Sequence, residues 1–176
     1  MNTYFLPVFD ELERQRVDIL NGVKDLSTEK LNYAPPGKWS INQILTHILI
    51  AEQLSVLYMK KKSLGIDQVK SSGLTAALRL GVLKLSQRIP AIKFKAPKVV
   101  LDHTPPTYPL NELTAHWETH RQKLKAFLES IDERNKKKLI YKHLIAGRFD
   151  ARQAMVFFRE HINHHLPQIK RLLHQD

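Results

Sequence analysis

The chain has 176 residues, the length of one domain, and 43% of them are hydrophobic, enough for one full core. Its 28 Lys and Arg against 17 Asp and Glu give a formal charge of +11, which suits a nucleic acid, an acidic small molecule or simply a solvated basic surface. Cysteine is absent, which excludes disulfides, thiolate metal sites and a cysteine nucleophile, and no run approaches the roughly 20 apolar residues that a membrane span needs.

The chain opens MNTYFLPVFDELERQ, with acids but no apolar run, so a signal segment is not expected and a cytoplasmic location is. One domain over residues 1–176 is expected. The first predicted helix runs from about Tyr4 to Leu26. It carries apolar residues on more than one side: Phe5, Phe9 and Leu12 on one, Val17 and Leu20 on another. A bundle helix needs one buried stripe, so the surplus suggests a homodimer surface, unless the connecting segment covers it. The stretch NYAPPGK, residues 32–38, then breaks the chain with two prolines and a glycine.

The second helix starts at Ser40, where Ser40 and Gln43 fit a capping box, and continues to about Lys61. Ile41, Ile44, Ile48, Ala51 and Tyr58 form its apolar side. Residues 63–109 form a long connection, with a short helix near Leu74 to Gln87 and then PAIKFKAPKVVLDHTPPTYP. Such a length can run back along a bundle, so that the second and third helices point the same way. The third helix, from about Leu110 to Ser130, has the stripe Leu113, Trp117, Leu124, Phe127, Leu128 and Ile131. The fourth, from about Ala151 to Leu173, has Asp150 as its cap and Ala154, Phe158, Ile162, Ile169, Leu172 and Leu173 as its stripe. The densest basic patches are Lys60 to Lys62, Lys93 to Lys98 and Lys136 to Lys138. Aromatics are scarce around them, so no stacking platform for a nucleic acid is expected.

The fourth helix contains FREHINHHLPQI, with three histidines in five positions. With His161 at zero on a wheel of about 100° per residue, His165 falls at about 40°, Phe158 at about 60° and His164 at about −60°. His161 and His165 are the inward pair, and two histidines at i and i+4 can converge on one metal ion. Histidines packed and hydrogen-bonded at a helix interface are the competing reading. His47 borders the apolar stripe of the second helix, so a third imidazole can complete a neutral His₃ set. His120, in the third stripe, is read as a partner that orients a ligand or as a packed histidine rather than as a fourth ligand. His116 sits to the side, and His103 and His174 are expected to face solvent.

The residues GKWSINQILTHILIAEQ, 37–53, resemble the second-helix motif of DinB-like proteins. HLIAGRFDARQAMVFFREHINHHLPQIKRL, 143–172, resembles their C-terminal motif, and FKAPKVV, 94–100, resembles their connection between helices two and three. The resemblance implies an all-α, four-helix bundle with up-down-down-up topology. It also implies a divalent metal held by His47, His161 and His165, in agreement with the wheel's choice of His165 over His164. Gln168 and His143 match motif positions without an assigned role. Imidazole ligands suit Zn, Ni, Fe or Cu.

The family includes bacillithiol transferases and mycothiol-dependent isomerases. Two reactions on a small-molecule substrate are therefore expected: transfer of a low-molecular-weight thiol, or hydrolysis. Hydrolysis needs a base, and neither Glu160 nor Glu52 projects toward its neighbouring histidine, which favours thiol transfer. The alternative class is a non-enzymatic basic helical-bundle binding module with structural histidines. No nucleic-acid or membrane partner is expected.

Overall fold

The computed structural model describes residues 2–88, 107–143 and 146–174. The basic stretch Lys93 to Lys98, the FKAPKVV motif and His103 lie outside them. Four long helices form a bundle: α1 (Leu6–Val23), α3 (Ile41–Ser63), α5 (Leu110–Glu129) and α6 (Ala151–Leu173). A short α2 (Thr28–Asn32) precedes α3, and α4 (Leu74–Arg88) lies in the crossover. Strands β1 (Tyr141–His143) and β2 (Gly147–Phe149) form an antiparallel hairpin before α6. No helix among the described residues is long and apolar enough to cross a membrane.

The local chemistry explains the boundaries. Pro7 sits in the first turn of α1, where its missing N–H costs no bond. The helix expected over Tyr4 to Leu26 is α1, which stops at Val23; beyond it Ser27 caps the short α2 by accepting from the Lys30 amide. Ser40 and Gln43 form the expected capping box, with bonds of 3.2 and 2.9 Å, and three lysines in the last turn of α3 complement its dipole. Asp150 and Gln153 form a second box at the start of α6. The other Asp150 oxygen accepts from Ser72 at 2.7 Å and from the Tyr4 hydroxyl at 3.1 Å. One buried carboxylate thereby ties the N-terminal segment and the crossover to the helix it caps.

One apolar core joins the long helices, and Ile48, Trp117, Leu124, Phe158 and Ile162 are all fully buried. The two-sided pattern of α1 reflects two neighbours, α5 and α6. Phe5, Phe9, Leu12 and Leu20 are buried, and Val17 alone of the surplus faces solvent. That leaves α1 little apolar surface for a second copy. α3 meets α5 like end to like end: Asn42 donates to the Tyr108 carbonyl at 2.7 Å, and ten residues on, Glu52 meets Trp117 and Arg121.

The hairpin has no counterpart in the helical periodicity. Gly147 has φ +87°, a conformation that L side chains rarely adopt, and Arg79 of α4 lies 3.1 Å from where its Cβ would stand. The crossover helix thus rests on the hairpin beside a glycine whose backbone conformation strains any other residue.

Candidate metal centre

α3 and α6 pack side by side and bring His47, His161 and His165 together. The Nε2 atom of His161 lies 3.2 Å from Nε2 of His47 and 3.2 Å from Nε2 of His165. One ligand-capable nitrogen from each ring lies within 4.8 Å of the others. His164 is not in this group; it is half-buried, with its ring beside that of His165 at 5.2 Å.

The rings are held from outside. Gln168 Oε1 is 3.1 Å from His165 Nδ1, and a carboxamide oxygen can only accept, so Nδ1 carries the proton and Nε2 turns a lone pair toward the trio. Trp39, just before the α3 cap, packs its ring 4.8 Å from that of His47 and stacks at 20° on that of His165. Phe157 stacks on His161 at 15° and 5.8 Å. His143 of β1 lies edge-on to Phe157 at 4.6 Å and accepts the Ala146 amide at Nδ1.

This environment keeps the imidazoles neutral. Burial, then the neighbouring His164, pushes His47 down to about 4. Burial, then His47, pushes His165 to about 3, against the Gln168 bond that raises it. Burial, then His165 and His47, holds His161 well below the ordinary histidine range. His143 falls to about 4 through burial.

The donor set fits a divalent cation. At about 2.0–2.1 Å from a tetrahedral ion, imidazole nitrogens stand roughly 3.3–3.4 Å apart, close to the observed 3.2 Å. Without a cation, the central His161 Nε2 faces two other Nε2 atoms and can make one good N–H···N bond at a time. His47 Nδ1 is buried without a hydrogen-bond partner among the described residues. A cation shared by the three Nε2 lone pairs removes the first conflict, although not the second.

The other expected residues fall elsewhere. His120 is buried against α3, with Nε2 3.8 Å from Glu52 Oε2, and takes no part in the trio. Burial, then Arg121, pushes it to about 3. His116 is exposed and meets the Tyr108 ring, and His174 is exposed. Glu52 does not face the histidines, yet it is fully buried on the α5 side of α3. Arg121 approaches it at 3.1 Å and Trp117 donates to it at 3.4 Å. Burial raises its carboxyl pKa, and Arg121 opposes that rise. Arg121 also lies 2.9 Å from Glu13, and Arg16 joins Glu13 to Glu118. Glu160 is buried too, and bonds to Arg159. No carboxylate among the described residues joins the three imidazoles. Gln168 matched a motif position without an assigned role, and its i+3 spacing from His165 is the signal that places the two side chains together. Phe157 falls about 40° from His161 on the wheel. Trp39, in a turn, had no periodicity to reveal it.

The DinB superfamily model matches residues 11–169. No curated protein matches the chain. Among solved structures, YfiT from Bacillus subtilis, described as a probable metal-dependent hydrolase with an unusual four-helix bundle topology, is similar with a TM-score of 0.58. The match covers 94% of this chain and 83% of that one at 16% identity, which is a likeness of fold.

Proposed function

Because the chain belongs to the DinB superfamily, we propose that it is a metal-dependent enzyme acting on a small molecule, with hydrolysis as its reaction. The observation that carries this reading is the convergence of His47, His161 and His165. Their imidazoles would hold the ion, and Gln168 fixes the orientation of one of them. Three neutral ligands leave a divalent ion its full charge. When bound, the ion supplies Lewis acidity, polarising a substrate oxygen and water. Trp39 and Phe157 form apolar walls that shield the ligands from solvent and strengthen electrostatics at the centre. The description of YfiT as a probable metal-dependent hydrolase supports the same reaction class. Zn, Ni and Fe all suit this donor set.

Transfer of a low-molecular-weight thiol is the second reading. It is favoured because no carboxylate among the described residues lies beside the trio to serve hydrolysis as a base.

One experiment separates these readings. Metal-stripped protein is titrated with Zn, Ni or Fe(II). Each loaded form is then offered ester, amide and phosphoester substrates, and separately a thiol with an electrophile. Metal-dependent hydrolysis lost in His161→Ala supports the first reading. Thiol consumption without hydrolysis moves the assignment to the second. Equally weak metal binding by wild type and the variant removes both and leaves a helical binding module with structural histidines.

A further inference from the structure

Helix α4 is apolar on two opposite faces, and among the described residues only one is covered. Ala76 and Leu83 are 3% and 4% exposed where α4 packs against α6 and β2. Leu74, Leu78, Val82 and Leu85 are 85%, 70%, 70% and 64% exposed. With Leu78 at zero, the other three lie within about 40° of it on the wheel, while Leu83 and Ala76 lie about 140° and 160° away. Scattered exposed aliphatics are ordinary; four in register along about 16 Å of helix are not.

The charge around this stripe indicates its partner. The helix LTAALRLGVLKLSQR contains Arg79, Lys84 and Arg88 and no acid. Arg79 is exposed, as are Lys61, Lys62 and Lys70 on the segment leading into α4. The whole chain carries +11. An apolar stripe on a basic, acid-free helix matches an anionic lipid surface, where aliphatics enter the acyl boundary and cations meet headgroups. A second copy fits less well. Even at about 150 Å² each, four side chains supply about 600 Å², short of the roughly 800 Å² per partner of a stable interface.

We propose that α4 is a membrane-surface contact that adsorbs the protein reversibly to anionic bilayers. Its 15 residues lie along the interface and do not span it. The expectation of no membrane partner considered spanning segments, and a short surface helix escapes that test. Because α4 packs on α6, adsorption places the metal centre one helix away from the lipid surface.

The test is co-sedimentation of the full chain with vesicles of phosphatidylglycerol and phosphatidylcholine in equal parts, beside vesicles of phosphatidylcholine alone. The comparison variant is Leu78→Ser with Val82→Ser, both exposed positions, with folding checked by circular dichroism. Binding to the anionic vesicles that weakens about tenfold or more in the double variant supports the proposal, as does release when salt is raised from about 0.05 to about 0.5 M. No binding to anionic vesicles overturns it. So does equal binding by wild type and variant, or equal binding to the uncharged vesicles. A dimer in sedimentation that the double variant disperses assigns the stripe to a second copy and also overturns it.

Discussion

Helix α3 carries two buried polar clusters on different sides. Toward α6 it offers His47, which meets two more imidazoles. About 140° around the helix it offers Glu52, which meets Arg121, Trp117 and His120 of α5. Both clusters remove polar groups from water, which is costly unless each finds a partner. The Glu52 cluster is balanced in charge, because carboxylate and guanidinium neutralise each other and Glu13 takes a further share of Arg121, although Arg121 Nε and Nη1 and His120 Nε2 are buried without a hydrogen-bond partner among the described residues. The histidine cluster carries no opposite charges, and its central His161 Nε2 can bond only one of its two Nε2 neighbours at a time. A closed cluster of opposite charges is a structural joint; an open cluster of like donors is a place for a cation.

Acid should act most broadly, on the histidines of both clusters and on His143, and oppositely on Glu52. His47 and His143 titrate at about 4 and His165 and His120 at about 3 in the folded chain, because burial disfavours their charged forms. The unfolded chain, with histidines near 6.5, binds more protons below that pH. Their contribution to stability is therefore complete above pH 6.5 and is lost as pH falls toward 4 and then 3. Glu52 acts oppositely: its raised pKa makes its contribution complete below about 4.5 and lost as pH rises through the folded value. Urea midpoints should fall from pH 7 to pH 4, and saturating zinc should steepen the fall because protons compete for its ligands. A flat profile would break the contrast.

The next effect belongs to the closed cluster. Arg121→Met strands a buried Glu52 and should cost about 3–5 kcal/mol by chemical denaturation, while metal affinity of the folded fraction stays within about twofold. An equal loss of metal affinity would mean that the two clusters are coupled through α3.

The reverse pattern is expected at the trio. His161→Ala should weaken metal binding by more than about a hundredfold in a competitive chelator titration, beyond the usual loss from removing an outer-shell partner. Gln168→Ala should lose about 10- to 100-fold, because His165 can then turn its ring or change tautomer. His164→Ala, outside the trio, should change affinity by about twofold or less. If His164→Ala matches His161→Ala, the ligand set is wrong.

While the full trio with His47 followed from the family resemblance, the helical wheel selected His161 and His165 over His164 because facing inward is a local property of one helix. The capping box at Ser40 was legible for the same reason. Glu52 was not: measured from His47, it pointed away from one neighbour, and nothing in α3 alone showed that α5 covers that side too. The hairpin from Tyr141 to Phe149 was hidden because three-residue strands carry no periodicity. Trp39 escaped because its place depends on how a turn folds over two helices.

The contact between Arg79 and Gly147 carries a consequence for how freely the sequence can drift. At Gly22, Gly65, Gly73 and Gly81 an added Cβ meets nothing within 4 Å, so these positions have room for alanine. At Gly147 a side chain meets both a positive φ and a guanidinium at 3.1 Å. In a library of all single substitutions, position 147 should tolerate less than these four because of its φ of +87°, while the exposed, flexible Arg79 side chain can give the few tenths of an ångström a Cβ needs. The backbone of the hairpin, rather than its neighbour on α4, would then set which residues position 147 can carry.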